Sequence, residues 1–129
     1  MNIPRQQAAK IVTGILSIVL VFQVLLILGL PLGNAAFGGQ HKVLPAAFRV
    51  GSFISILVYL LIIFVLRARA GLQSPVSNQK LLRYGSWTAV VLFALGFVMN
   101  AASPSRYENF IWAPILIVTT YLSWLIARK

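Results

Sequence analysis

Residues 100–114 read Asn-Ala-Ala-Ser-Pro-Ser-Arg-Tyr-Glu-Asn-Phe-Ile-Trp-Ala-Pro and form a polar stretch in a largely apolar chain. The stretch contains Glu108, the single Asp or Glu among 129 residues. Long apolar segments flank it on both sides, so we interpret it as a connection between two membrane-spanning helices. The question it raises is what holds the lone carboxylate in place.

The composition indicates a membrane protein. Hydrophobic residues make up 60% of the chain and charged residues 9%, whereas soluble domains are roughly a quarter charged and about half apolar. So short a chain cannot bury this apolar surface inside a soluble globule. We predict a single membrane domain, residues 1–129. The net charge of +10 does not indicate nucleic-acid binding, because the basic residues lie between apolar runs, where they determine topology.

Four apolar stretches are long enough to cross a hydrocarbon layer of about 30 Å at about 1.5 Å per residue. The predicted spans cover about residues 11–30, 45–66, 85–102 and 107–126. The first is longer than the apolar core of a cleaved signal peptide, so we predict a retained span that Pro31 and Gly33 end. The predicted fold is all-α, with four transmembrane helices in an up-down-up-down bundle.

The basic residues predict an orientation. Eight lie in the N-terminal segment, the second loop and the C-terminus: Arg5, Lys10, Arg67, Arg69, Lys80, Arg83, Arg128 and Lys129. Three lie in the first and third loops: Lys42, Arg49 and Arg106. Since positively charged loops stay in the cytoplasm, we expect a multi-pass protein of the cell inner membrane with both termini cytoplasmic. The second loop, 67–83, contains Gly, Pro, Ser and Asn and is predicted to be irregular.

Small residues and prolines suggest how the spans begin and associate. Pro45 suits the first turn of the second span, and Pro114 is expected to kink the fourth. Ala47, Gly51 and Ser55 recur every four residues, which favours close approach of another helix. Polar groups at membrane depth are expected to bond to a neighbouring helix or to their own backbone carbonyls: Gln23, Tyr59, Thr119 and Thr120.

Glu108 has two compatible interpretations. With Ser105 it forms a capping-box pattern, in which each side chain bonds the other's backbone N–H. A carboxylate in the first turn of a membrane helix is also costly unless it is paired. An ion pair with Arg49 or Arg106 is therefore the second interpretation.

The first and third loops bring most of the remaining polar side chains together. We predict one polar surface from loops 33–49 and 100–112, with these candidate binding residues: His41, Arg49, Asn100, Arg106, Glu108 and Trp112. The predicted structural residues are Ser105, Glu108, Pro45 and Pro114. The absence of cysteine and the single histidine predict no metal site and no cofactor.

Two motifs resemble a group of small four-span bacterial membrane proteins of uncharacterised activity. One is Gly38-Gly-Gln-His-Lys-Val-Leu-Pro45 with Arg49 and Ser52; the other is Asn100-Ala-Ala-Ser-Pro-Ser105 with Glu108, Trp112 and Pro114. The resemblance implies that the protein lies in a bacterial inner membrane. It also implies that the two motifs belong to one site. It implies no catalytic activity.

Three functions remain open. The sequence favours a non-catalytic membrane protein whose outer polar surface binds a lipid headgroup, a small molecule or a partner subunit. The second is a homo-oligomeric channel or transporter with the Ala47–Gly51–Ser55 stripe as the protomer contact. The third is a membrane enzyme that acts on a lipid or isoprenoid through His41 and Glu108.

Overall fold

The computed structural model describes residues 3–72 and 78–128, and within these ranges it contains helices and no strand. The long helices are α1 (Arg5–Ile27), α2 (Ala46–Arg69), α3 (Gln79–Ala101) and α4 (Ala113–Ala127). A π-helical turn, Glu108–Trp112, leads directly into α4. All four helical rods, the last counted from Glu108 to Ala127, are long and apolar enough to cross a membrane. The predicted all-α class and the presence of four helices able to span a membrane are confirmed.

The helices extend beyond the apolar spans at their basic ends. α2 continues through Arg67 and Arg69, and α3 begins at Gln79, so much of the predicted 67–83 loop is helical. Arg and Gln are good helix formers, and long basic side chains can cover apolar surface while their charges reach water. The middle of the predicted loop, residues 73–77, lies outside the described ranges, as does Lys129.

Glycines in the left-handed conformation end the first two helices. Gly29 follows α1 with φ 89°, and Gly71 follows α2 with φ 85°. At each end, the glycine N–H and the next N–H donate to carbonyls of the last helical turn, the pattern of a Schellman motif. The expectation that Pro31 and Gly33 end the first helix was therefore wrong by one turn, because Gly29 already supplies the required positive φ.

The four helices pack around a common core, and each contacts both its neighbours in the order α1, α2, α3, α4 and back to α1. The main buried cluster combines residues from all four, including Leu16, Leu66, Phe93 and Ile126. A smaller cluster of Leu26, Ala36 and Leu44 lies under the first loop. Many large apolar side chains point outward, as expected for a lipid-facing surface.

Hydrogen bonds from arginine side chains connect the helices at the end of the bundle opposite the first loop. The guanidinium of Arg5 donates to the carbonyl of Arg69 at 2.8 Å and to that of Ile126 at 3.1 Å. Arg69 in turn donates to the carbonyl of Ala127 at 3.1 Å. These are carbonyls of last helical turns, which lack partners within their own helices. The first turn of α1 therefore lies beside the last turns of α2 and α4.

The small-residue stripe of α2 does not receive a helix in this structure. Ala47 is exposed, and the closest group to the Cβ position of Gly51 is the ring of Phe37, at 3.4 Å. Close helix contacts occur instead at Gly85, opposite Val65, and at Gly96, opposite Leu116. The first loop thus occupies the surface that the sequence assigned to a neighbouring helix.

Candidate functional site

The first loop folds back across the end of the bundle between α1 and α2. It contains two short 3₁₀ turns, Gly33–Ala35 and Phe37–Gly39. The N–H of Gly33 donates to the carbonyl of Lys42 at 2.8 Å and closes the loop. A Cβ at Gly33 would lie only 2.0 Å from the carbonyl oxygen of His41, so this crossing requires glycine.

The second of these turns has an unusual backbone. Phe37, Gly38 and Gly39 all have positive φ, at 49°, 79° and 74°. This region is unfavourable for a bulky residue such as Phe37 and indicates local strain. Contacts hold Phe37 there: its ring packs against the Phe48 ring, with the centroids 5.1 Å apart. The turn directs the N–H of Gly38 toward Glu108.

Glu108 is buried, with 8% of its surface exposed. Its Oε1 accepts a hydrogen bond from the N–H of Gly38 at 3.0 Å and a second from the Ser103 hydroxyl. In the described ranges no salt bridge joins Glu108 to Arg49 or Arg106. Uncharged donors therefore hold the carboxylate, and the expected ion pair is absent from this structure.

The predicted capping box is half formed. The Ser105 hydroxyl accepts from the N–H of Glu108 at 3.4 Å, as the pattern predicts. The reciprocal bond is missing because the Ser103 hydroxyl takes the N–H of Ser105, at 3.1 Å, and Glu108 turns toward Gly38. Ser105 also donates to the carbonyl of Asn34 at 2.5 Å, which ties the two loops together.

The side chain of Asn109 caps the C-terminal end of α3. Its side-chain Nδ2 donates to the carbonyls of Asn100 at 2.7 Å, Ser103 at 2.9 Å and Ala101 at 3.2 Å. These carbonyls lie at the end of α3 or just after it, where no further helical turn supplies N–H groups to them. The sequence shows a polar residue here but does not reveal this role, because the contact depends on how the chain turns between α3 and α4.

The π-helical turn Glu108–Trp112 accommodates Pro114. Proline has no N–H and its ring collides with the carbonyl four residues earlier. The wider turn avoids this conflict, and the N–H of Ala113 donates to the carbonyl of Glu108, five residues back. Trp112 uses its indole N–H to bond the carbonyl of Ala35 at 2.9 Å. The predicted kink at Pro114 therefore takes the form of a widened turn.

A cavity of about 490 Å³ extends from Glu108 into the bundle. Its walls are mostly apolar and come from all four helices and the first loop. The exposed lining residues Phe37, Met99 and Pro104 place its opening near the two short loops. Its polar lining residues are Gln23, Ser55, Tyr59, Asn100, Ser103, Glu108, Trp112 and Thr119.

Several polar groups of the cavity already donate a hydrogen bond to a carbonyl of their own helix. Thr119 donates to the carbonyl of Ile115 and Ser55 to that of Gly51, as expected for hydroxyls at membrane depth. Asn100 donates from Nδ2 to the carbonyl of Gly96 at 2.7 Å. By contrast, Oε1 of Gln23 is buried and accepts no hydrogen bond. Gln23 and Tyr59 are thus brought to the same cavity as Glu108, which the sequence could not show.

Three of the predicted binding residues lie away from the cavity. His41 packs against the Phe48 ring, with centroids 5.4 Å apart, and is not among the lining residues. Arg49 donates from Nε to the carbonyl of Leu44 at 2.8 Å, and its guanidinium lies over Gly29 at the end of α1. Arg106 is exposed. Asn100, Glu108 and Trp112 do line the cavity, and their role in binding stays a prediction.

Residues 3–72 and 78–128 contain no cluster of His, Cys, Asp or Glu that could hold a metal ion. Comparison with protein-family models, with curated proteins and with solved structures finds no match for this chain.

Proposed function

We propose that this protein is a small multi-pass protein of a bacterial inner membrane that binds an amphipathic small molecule in the Glu108 cavity without catalysing a reaction. The observation that carries the proposal is the cavity itself, in which apolar walls lead to a buried carboxylate. Its volume of about 490 Å³ falls within the range of about 300–1,000 Å³ that is typical of small-molecule sites. Such sites combine apolar walls with a few placed polar groups.

The proposal places the polar end of the ligand beside the two short loops, 33–49 and 100–112. Glu108 and Asn100 lie at that end of the cavity, and α3 and α4 continue from there into the membrane span. A lipid-like molecule entering near Met99 would keep its apolar part among side chains of the helices. The lipid bilayer supplies both the solvent and the route of entry.

The proposed topology is an up-down-up-down bundle with both termini in the cytoplasm. The distribution of Lys and Arg supports it, since eight of the eleven lie in the N-terminal, second-loop and C-terminal segments. Under this topology the cavity opens toward the outer surface. The resemblance of the two loop motifs to bacterial four-span proteins supports the inner membrane.

Two other functions receive less support. A homo-oligomeric channel or transporter would use the Ala47–Gly51–Ser55 stripe between protomers, but Phe37 lies over Gly51 and Ser55 lines the cavity. An enzyme would need His41 beside Glu108, and His41 lies outside the cavity lining. A partner subunit bound to the loops remains a separate proposal, which the experiment below also tests.

A matched pair of serine variants tests cavity binding. Ser55 lines the cavity and its hydroxyl donates only to its own helix, so Ser55→Leu should fill the cavity without breaking a contact between helices. Ser17 on α1 makes the same type of bond on an exposed surface, and Ser17→Leu is the control.

Native mass spectrometry of gently extracted protein reports bound lipid, bound partner and oligomer together. We expect a non-covalent amphipathic ligand on the wild type and on Ser17→Leu, and reduced occupancy on Ser55→Leu. Equal occupancy of both variants would show that the ligand binds elsewhere. A bound protein in place of a small molecule would favour the partner-subunit proposal.

A further inference from the structure

We infer that the cavity selects an amphipathic cation, with a protonated amine next to Glu108 and its apolar part between the helices. This inference rests on the proposed function, because it specifies the chemical class of the ligand in the same cavity. Three features of the described residues carry it: the absence of a cation beside Glu108, the hydrogen-bond acceptors of the cavity, and the aromatic rings near its opening.

The first feature is the uncompensated charge of Glu108. The chain has eleven Lys and Arg residues, yet within 3–72 and 78–128 none forms a salt bridge with this carboxylate. A buried carboxylate is costly in a medium of low dielectric unless a cation balances it. The neutral donors Gly38 and Ser103 offset part of this cost. A cationic ligand would supply the missing charge.

The geometry of the carboxylate leaves one oxygen available. Both hydrogen bonds reach Oε1, and no hydrogen bond of the described residues reaches Oε2. Because Glu108 lines the cavity, Oε2 can accept a hydrogen bond from a ligand there. A bond between an ammonium group and a carboxylate is charge-assisted and stronger than a neutral one.

The second feature is a set of hydrogen-bond acceptors that lie unused in the cavity. Oε1 of Gln23 is buried without a partner. Thr119 has committed its hydrogen to the carbonyl of Ile115, so its oxygen can only accept, and Oδ1 of Asn100 accepts no hydrogen bond from the described residues. The amides of Gln23 and Asn100 can also donate, so the preference for a cation comes from the carboxylate. An amine with several N–H groups would find acceptors beside it.

The third feature is aromatic. The rings of Phe22 and Trp112 both line the cavity, with centroids 4.8 Å apart, and Phe37 lies at the opening. The faces of aromatic rings attract cations electrostatically. These rings therefore favour a cation at the same end of the cavity as the carboxylate.

The test uses three molecules with the same alkyl chain: the primary alkylammonium, the alcohol and the carboxylate. Binding to wild-type protein in non-ionic detergent is measured by native mass spectrometry and by the shift in melting temperature. We expect the ammonium to bind about tenfold or more tightly than the alcohol. The reason is that a cation about 4 Å from the carboxylate is still attracted to it when the site is polarisable. The alkyl carboxylate should bind most weakly.

Glu108→Gln provides the matched variant. Glutamine retains an oxygen that can accept from Gly38 and Ser103, so only the charge should be lost. Gln7→Lys, on an exposed position of α1, raises the net charge by one as Glu108→Gln does but does not touch the cavity. The preference for the ammonium over the alcohol should disappear in Glu108→Gln and persist in Gln7→Lys.

The outcomes separate the two proposals. If the alcohol binds wild-type protein as tightly as the ammonium, or if Glu108→Gln keeps the preference, the cation inference is wrong and cavity binding stands. If none of the three molecules binds, both are wrong. Should Glu108→Gln fail to fold, the charge series on wild-type protein alone decides.

Discussion

The carboxylate of Glu108 accepts a hydrogen bond from the backbone N–H of Gly38, 70 residues away in the sequence. This bond joins the turn before α4 to the loop between α1 and α2. It also fixes the polar end of the cavity, since both residues line it. Stability and binding therefore depend on the same contact.

Glu108→Ala should destabilise the protein more than Glu108→Gln. Alanine leaves the partly buried Gly38 N–H and Ser103 hydroxyl without their acceptor, and each lost hydrogen bond of this kind costs about 1 kcal/mol or more. Glutamine keeps an acceptor and should cost about 1 kcal/mol or less. Thermal unfolding in detergent measures both, with the exposed Arg106→Ala as the control. Equal melting temperatures for wild type and Glu108→Ala would show that the carboxylate is not a structural anchor.

The adjacent glycines Gly38 and Gly39 should differ in their tolerance of alanine. Both have positive φ, which costs a non-glycine residue roughly 1–2 kcal/mol. A Cβ at Gly38 meets open space, whereas at Gly39 it would lie 2.8 Å from the carbonyl oxygen of Asn34 and 2.9 Å from Cβ of Ser105. Gly39→Ala should therefore lower the melting temperature clearly more than Gly38→Ala. The reverse order would contradict the described loop.

Asn109→Asp should destabilise the protein more than Asn109→Ala, although aspartate has nearly the same shape as asparagine. The amide of Asn109 donates to three carbonyls at the end of α3. A carboxylate has no hydrogen to donate and would place its negative charge against those oxygens, in addition to the loss of hydrogen bonds worth about 1 kcal/mol each. Urea or detergent unfolding of the two variants, followed by circular dichroism, measures the difference. An aspartate variant as stable as wild type would rule out this contact.

Arg5→Lys should weaken the opposite end of the bundle. The guanidinium of Arg5 bonds the carbonyls of Arg69 and Ile126 together, and a single ammonium group cannot reproduce this fork. We expect a loss of about 1–2 kcal/mol, at the lower end of or below the roughly 1.5–3 kcal/mol typical of hydrogen bonds to charged groups, because these contacts are only partly buried. Lys10→Arg, on an exposed position of the same helix, is the control. Unfolding that does not distinguish the two variants would count against the described contacts.

The proposed orientation can be tested by cysteine labelling, because the chain has no native cysteine. Single variants His41→Cys and Arg106→Cys should react with a membrane-impermeant maleimide added outside intact cells. Lys80→Cys should react only after the membrane is opened. Labelling of positions 41 and 106 from opposite sides would overturn both the topology and the joint site of the two loops.

Hydropathy predicted the four helices well because lipid imposes a simple requirement on them. Each span must be apolar over its whole length and must satisfy its own backbone hydrogen bonds. The helix ends were harder, since Gly29 and Gly71 act through φ values that only the folded chain reveals. The extension of α2 through Arg69 likewise depends on side chains that reach past the hydrocarbon layer.

The site was only partly predictable. Sequence motifs predict contacts between residues that are close in the chain. The hydrogen bond between Ser105 and the Glu108 N–H is one of these, since it follows from a spacing of three residues. An ion pair of Glu108 with Arg49 or Arg106 was one of two interpretations, and the structure has the Gly38 N–H and the Ser103 hydroxyl in its place. Charge complementarity is visible in a sequence, whereas a backbone N–H turned by positive φ is not. Gly38-Gly39 was the available signal for that turn. The convergence of Gln23 and Tyr59 on Glu108 required the packed structure.

The turn from Glu108 to Trp112 winds one additional residue into the rod that continues as α4. In a regular helix each residue advances the direction of the side chains by about 100°, so an extra residue shifts the phase of everything beyond it. Glu108 and Trp112 stand at the two ends of this turn and both line the cavity, as do Leu116 and Thr119 further along the rod. The widened turn thus keeps the carboxylate on the inner side of a segment whose other side, with Phe110 and Ile117, is exposed.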